Sequence, residues 1–128
     1  MAQVFVAVSR DSIPDHEPFA EVHYGGVYFF LYPDIKRLRD ATGELIGPQD
    51  SAFFDGGALD SLEAFLIKAQ EFARTQTSEW EQRVGVLEGG EVQYQRTSRA
   101  QVVDLLQGIA RAAQKARGEN MGVLFLGD

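Results

Sequence analysis

Two short and almost purely apolar segments constrain the fold most. Residues 3–8 and 122–127 are rich in Val, Leu and Phe and carry no charge. Apolar runs of this length are typical of strands covered on at least one face, and too little polarity is present for an exposed edge strand. We therefore expect both segments inside a β-sheet, which requires other elements to pack over it.

Two amphipathic helices are predicted from apolar spacing of three and four. The first, over about residues 58–75, carries Leu59, Leu62, Phe65, Leu66, Ala69, Phe72 and Ala73 on one face. The second begins at the capping box Ser98-x-x-Gln101 and ends at Gly118. Its stripe consists of Val102, Leu105, Leu106, Ile109, Ala113 and Ala116.

The segment from residue 21 to Gly43 allows two interpretations. Residues 21–30 resemble a hairpin with a turn at Gly25-Gly26. Alternatively, Tyr28, Leu31, Ile35 and Leu38 fall at helical spacing, so a helix could begin before Pro33, a residue expected only in a first turn. Gly43 ends the helix in both cases.

A further hairpin is predicted over residues 83–95, with Gly89-Gly90 in its turn. In its second strand Val92 and Tyr94 share one face, while Glu91, Gln93 and Gln95 are expected to face water. Strands and helices thus alternate irregularly. The prediction is a single α+β domain over residues 1–128, with a mixed or mostly antiparallel sheet of about four to six strands packed against two or three helices.

Composition narrows the cellular context and the class of ligand. The chain contains no cysteine, no basic segment before its first apolar run, and no stretch of the roughly 20 apolar residues that a membrane span requires. We expect a cytoplasmic protein that does not bind membranes. A net charge of −7 disfavours nucleic-acid binding, because phosphate contacts need clustered Lys and Arg.

Charge is unevenly distributed along the chain. Residues 11–67 contain eleven acids and three bases, a net charge of −8, whereas eight acids and eight bases cancel over residues 68–128. The acids of the first part are Asp11, Asp15, Glu17, Glu21, Asp34, Asp40, Glu44, Asp50, Asp55, Asp60 and Glu63. This imbalance predicts a contiguous acidic surface that attracts a basic partner.

No group of residues indicates catalysis, a metal or a cofactor. His16 and His23 lack an evident third ligand, and no serine follows a G-x-S-x-G pattern. Asp55 could pair with Asp60 or Glu63, but carboxylates are favoured at a helix start in any case. The Gly56-Gly57 turn lacks the following lysine of a phosphate-binding loop. We expect no enzymatic activity, no metal site and no cofactor.

Trp80 lies between Glu79 and Glu81, at the junction of the helix predicted over about residues 58–75 and the hairpin. A tryptophan flanked by carboxylates is a candidate anchor for a basic protein partner. It can equally be a core residue at the start of a strand, with its acidic neighbours turned to solvent. Both interpretations stay open.

The region from residue 54 to residue 128 resembles small bacterial immunity-type proteins associated with polymorphic toxins. The resemblance rests on a Phe-Asp-Gly-Gly turn before an amphipathic helix, on Glu-Trp-Glu-Gln-x-Val-Gly at residues 79–85, and on a hairpin, a capped helix and a closing strand ending Leu-Gly-Asp. It implies an inhibitor that blocks the active region of a cognate toxin, and it assigns no individual site residue.

We therefore expect a protein inhibitor that binds a basic partner, a toxin domain, through an acidic surface. The candidate partner-binding residues are Asp11, Asp15, Glu17, Asp50, Asp55, Asp60, Glu79, Trp80 and Glu81. The alternative is a small enzyme or small-molecule binding domain with a pocket formed by Tyr24, Tyr28, Tyr32 and nearby carboxylates. A third is a self-associating protein without a ligand. The sequence does not determine the oligomeric state.

Overall fold

A computed structural model describes residues 1–128 and contains three helices and six strands. In chain order these are β1 (Ala2–Ala7), β2 (Ala20–Val22), α1 (Gly26–Thr42), β3 (Ala52–Phe54), α2 (Gly56–Arg74), β4 (Glu79–Val86), β5 (Val92–Ser98), α3 (Arg99–Gly118) and β6 (Gly122–Leu126). The strands form one sheet of four and one of two, and every pairing is antiparallel. The predicted α+β class is confirmed.

The four-stranded sheet has the order β2-β1-β6-β3. The two apolar segments of the sequence are therefore its central strands, as predicted, and Phe5 pairs with Leu124 near the middle of their shared ladder. The edge strand β3 is protected by a side chain, because the Phe53 N–H donates to the Glu44 carboxylate at 2.7 Å. Such cover leaves fewer open backbone groups at that edge.

One face of this sheet packs against all three helices. Val4, Val6, Val123 and Phe125 belong to a single core with the buried stripes of α1, α2 and α3. The opposite face carries only a small cluster in which Phe5, Ala7 and Leu124 are buried beside Phe53. The helices thus lie on one side of the sheet, and none of them has the length and apolar content needed to cross a membrane.

The capped helix α3 follows its sequence signals closely. The Ser98 hydroxyl accepts from the Gln101 N–H at 3.1 Å, and the Gln101 side chain accepts from the Ser98 N–H at 3.0 Å. This capping box satisfies two of the backbone donors that a helix start leaves unpaired. The prediction of α3 is confirmed, and α2 lies within two residues of its predicted bounds.

Helix α1 corrects the hairpin interpretation of residues 21–30. The helix begins at Gly26 and continues through Pro33, so the expectation that this proline is confined to a first turn was wrong. Its ring is exposed, and because proline has no backbone N–H, it cannot donate to the Phe29 carbonyl one turn earlier. Gly43 ends the helix as predicted, with φ 80° and its N–H donating to the Arg39 carbonyl.

The start of α1 depends on the distant β5 strand. The residue before the helix, Gly25, has no side chain to cap it, and the Gly26 N–H instead donates to the Gln95 side-chain oxygen. Thr97 is the one buried polar residue and packs beside Gly26, where an added Cβ would lie 1.7 Å from its hydroxyl oxygen. Only glycine allows this close approach of helix and hairpin.

Gly26→Ala should therefore separate α1 from the hairpin and destabilise the fold by about 1–3 kcal/mol or more. Gly57→Ala is the matched control, because nothing lies within 4 Å of a Cβ at this helical position. We expect it to be neutral or to stabilise by about 0.5–1 kcal/mol. Urea unfolding of both variants checks this, and equal stabilities would contradict the assigned contact.

Candidate interaction surface

The β4–β5 hairpin is separate from the four-stranded sheet and lies against α1. Its two strands pair with each other and with no other strand. At the turn the Leu87 N–H donates to the Glu91 carbonyl at 2.6 Å, and Gly89 and Gly90 have φ 97° and 89°. Because these angles favour glycine, the predicted turn is confirmed.

The inner face of the hairpin is polar and faces α1. It carries the cross-strand pairs Trp80–Thr97 and Gln82–Gln95. The register shifts between Arg83 and Gly85, so Val84 is the extra residue of a β-bulge. Since side chains alternate between faces, the bulge brings Val86, rather than Gly85, onto the outer face.

The outer face of the hairpin is apolar near its tip. Four large apolar side chains are exposed there: Val86 by 52%, Leu87 by 42%, Val92 by 38% and Tyr94 by 60%. The sequence correctly placed Val92 and Tyr94 on a common face. Gln95 was expected to face water. The residue is exposed, and its side-chain oxygen also accepts from the Gly26 N–H at the start of α1.

The apolar surface continues from the hairpin to the start of α1. An open groove of about 410 Å³ lies between them, lined among others by Tyr24, Phe29, Val84 and Tyr94. The Tyr24 and Phe29 rings are stacked, with centroids 6.4 Å apart. We call the four hairpin-tip residues, together with Tyr24 and Phe29, the tip surface.

Charge on the hairpin differs between its base and its turn. At the base Arg96 contacts Glu79 at 2.7 Å and Glu81 at 3.5 Å. The hydrogen bond to Glu79, followed by the Glu79 charge, raises the pKa of the Arg96 guanidinium. The two carboxylates predicted to bind a partner therefore share one positive charge within the hairpin, whereas Glu88 and Glu91 at the turn have no ion-pair partner within 4 Å.

Trp80 joins the hairpin to the helices. Its ring packs on Phe30 with centroids 4.9 Å apart, and Phe30 in turn stacks on Phe72 at 5.5 Å. The indole N–H donates to the Gln82 side chain at 3.0 Å. Trp80 is half-buried against the main core, so its ring is already occupied by contacts within the chain.

The acids of residues 11–67 are partly neutralised in the folded chain. Five have a Lys or Arg partner within 4 Å, namely Asp34, Asp40, Glu44, Asp60 and Glu63, and Glu21 contacts the His23 ring at 3.0 Å. Asp60 and Glu63 on α2 both bind Arg117 of α3, and these hydrogen bonds, Glu63 first, raise the pKa of Arg117. A base from the second half of the sequence thus lies within the acidic part of the surface.

The predicted partner-binding acids lie on several elements. Asp11, Asp15 and Glu17 belong to the loop between β1 and β2, Asp50 precedes β3, and Asp55 precedes α2. None of these five has an ion-pair partner. Asp15 and Glu17 line one cleft, and Glu79 and Glu81 share Arg96.

Neither histidine takes part in a metal site. His16 lies with Nδ1 2.8 Å from the Glu17 carbonyl oxygen and Nε2 3.2 Å from that of Val6, and His23 contacts the Glu21 carboxylate at 3.0 Å. No group of three or more His, Asp or Glu side chains is arranged to hold a metal ion.

The tyrosines of the alternative interpretation are neighbours but do not all line one pocket. Tyr24 and Tyr28 contribute to a cleft of about 360 Å³ that also includes Glu21 and Asp104, whereas Tyr32 lies outside it. The Tyr28 hydroxyl donates to the Ile46 carbonyl at 3.0 Å. Burial, with smaller contributions from Tyr32, Tyr24 and Asp50, raises the pKa of Tyr28 to about 12.

No model of a known protein family matches this chain, and neither a curated protein nor a solved structure matches it.

Tyr28 should make stability depend on alkaline pH. Between pH 10 and about 12 the unfolded chain ionises this phenol while the folded chain keeps it neutral, so stability should fall by up to about 1.4 kcal/mol per pH unit. Tyr28→Phe has no phenol to ionise, so its stability should lack this pH dependence. At neutral pH its free energy of unfolding should be about 1 kcal/mol lower, because the hydrogen bond to the Ile46 carbonyl is lost. Denaturant titrations of both proteins across this range measure the difference, and parallel pH profiles would refute it.

Trp80 and Tyr94 should differ in what they do for stability. Trp80→Ala removes the contact with Phe30 and should cost about 2–3 kcal/mol, less than the roughly 3–5 kcal/mol of a fully buried large aromatic residue. Tyr94→Ala, on the exposed face, should stay within about 0.5 kcal/mol of the parent. Thermal unfolding of the two variants tests this, and the reverse order would show that Tyr94 is the structural residue.

Proposed function

We propose that this protein is an inhibitor-type binding protein that inserts the tip surface into a basic-rimmed groove of a protein partner. The observation that carries the proposal is the group of exposed apolar side chains on the outer face of an attached, projecting hairpin. Large contiguous apolar patches are uncommon on soluble domains and frequently mark interaction sites.

The composition of the tip surface suits a binding anchor. Tyrosine is enriched among the residues that dominate binding energy, because its rigid ring buries a large area at little entropic cost. Tyr94 lies opposite Arg83 of β4, and the neighbouring pair Val86–Val92 can exclude water from its contacts. The ring is free to bind a partner, whereas the Trp80 ring is occupied by Phe30.

The shape of the hairpin supports an inhibitory mode of binding. The turn of the hairpin is exposed, and an exposed two-stranded turn presents a convex surface, so the complementary partner surface is concave. Enzyme active sites are typically such clefts. A hairpin inserted there would block substrate access without any chemical step, as the resemblance to toxin immunity proteins implies.

Charge favours a basic partner. Glu88 and Glu91 flank the turn without ion pairs, and the whole chain carries a net charge of −7. Long-range attraction of this kind accelerates encounter with a positively charged cleft and falls with salt. Basic clefts are expected in toxins that act on nucleic acids or nucleotides. We therefore propose that the partner is an enzyme of this kind.

The resemblance to immunity proteins makes the protein encoded by the neighbouring gene the first candidate partner. Binding of this chain to that purified protein tests the proposal. The double variant Val92→Ala/Tyr94→Ala should weaken that binding by about thirtyfold or more, equivalent to about 2 kcal/mol. Ile67→Ala on α2 is the matched control, since Ile67 is an exposed apolar residue away from the hairpin. Equal affinities for the parent and the double variant would exclude the tip surface as the binding site.

Charge reversal provides a second prediction for the same complex. Glu88→Lys/Glu91→Lys should lower the association rate by about tenfold at low salt, with little effect on the dissociation rate. Glu71→Lys, an unpaired carboxylate on α2, should change the rate less. Stopped-flow measurements give the association rate constants of the parent and the variants at several ionic strengths. An association rate that does not depend on salt would contradict the proposal of a basic partner.

A further inference from the structure

The largest cleft of the molecule, about 810 Å³, lies between the β1–β2 loop and the C-terminal half of α3. It is separate from the tip surface and shares no residue with it. Its volume falls within the roughly 300–1,000 Å³ of small-molecule sites. We propose that this cleft binds an α-amino acid or short peptide that has free termini and an apolar side chain.

The loop that forms one wall is held in place at several points. Arg10 near its start is paired with Glu44, and the Phe19 N–H at its end donates to the Val4 carbonyl at 2.8 Å. In the middle, the His16 ring contacts two backbone carbonyls and packs edge-on against Phe5 and Phe19, with centroids 5.5 and 5.7 Å apart. A wall fixed in advance costs little conformational entropy when a ligand binds.

The two walls of the cleft differ in charge. The loop contributes Asp15 and Glu17, and α3 contributes Arg111, Lys115 and Glu119, of which Arg111 and Lys115 lie one helical turn apart on the same face. Lys115 contacts Glu119 at 3.6 Å, but Asp15, Glu17 and Arg111 have no ion-pair partner within 4 Å. Two unpaired carboxylates of the loop and one unpaired guanidinium of α3 therefore line the same cleft.

The base of the cleft is apolar. Val6, Ala7, Phe19 and Met121 line it, and the exposed loop residue Ile13, 92% accessible, stands at its rim. Apolar side chains from a ligand gain free energy by covering such surface. Small-molecule sites commonly combine an apolar lining with a few charged groups that fix orientation.

These three properties define the ligand by its chemistry. An ammonium group suits the Asp15 and Glu17 wall, a carboxylate suits Arg111, which can bind it through two parallel N–H donors, and an apolar side chain suits the base. Amino acids and short peptides carry all three groups. A purely anionic or purely cationic ligand would be repelled by one wall.

The dipeptide Leu-Leu is the probe, and NMR titration of the full chain is the measurement. We expect saturable shifts confined to residues 6–19 and 111–121. N-acetylation or C-amidation of the probe should each weaken binding by about tenfold, since each removes one charge-assisted contact. Arg111→Gln and Glu17→Gln should each weaken binding by a similar factor, whereas Arg74→Gln, an exposed base outside the cleft, should not.

Pairing variants with probes separates specific contacts from general electrostatics. In Arg111→Gln the amidated and free dipeptides should bind equally, because the partner of the carboxylate is gone, while acetylation should still weaken binding. Absence of saturable shifts with Leu-Leu, or equal binding of the doubly capped dipeptide to the parent protein, would overturn the site. Either failure leaves the proposed function untouched, since the tip-surface variants alter no residue of this cleft.

Discussion

Burial of one face of the central β1–β6 pair is the constraint from which the rest of the architecture follows. Val4, Val6, Val123 and Phe125 need cover, and α1, α2 and α3 provide it from a single side. The β4–β5 strands are not part of that sheet. They pair with each other and attach to α1 instead, which leaves their outer face open.

The elements that were predictable from sequence are those whose signals are local. A capping box and an apolar stripe define α3, and two continuous apolar runs define the central strands. The start of α1 was not predictable in this way. A Gly25-Gly26 pair is typical of a turn, but Gly26 is required because Thr97, far away in sequence, packs against it. No local pattern contains that information.

For the tip surface, too, local sequence patterns leave out the contacts between distant elements. Alternation along β5 separates Val92 and Tyr94 from Gln95 correctly, yet alternation alone does not reveal which face a neighbouring element covers. The Gln95 side chain lies on the face toward α1, where its oxygen accepts from the Gly26 backbone N–H, so apolar Tyr94 lies on the opposite, exposed face. Similarly, the charge imbalance along the sequence could not show that Arg117 would fold against Asp60 and Glu63.

The Gln95 contact has a consequence for the order in which the chain acquires structure. The Gly26 N–H finds its side-chain acceptor 69 residues further along the chain. An emerging polypeptide therefore has a frayed first turn of α1 throughout synthesis of α2 and β4, and the turn becomes fixed only when β5 returns to it. Closing so long a loop is entropically slow, so docking of the hairpin is expected late in folding, after the helices have begun to collapse on the sheet.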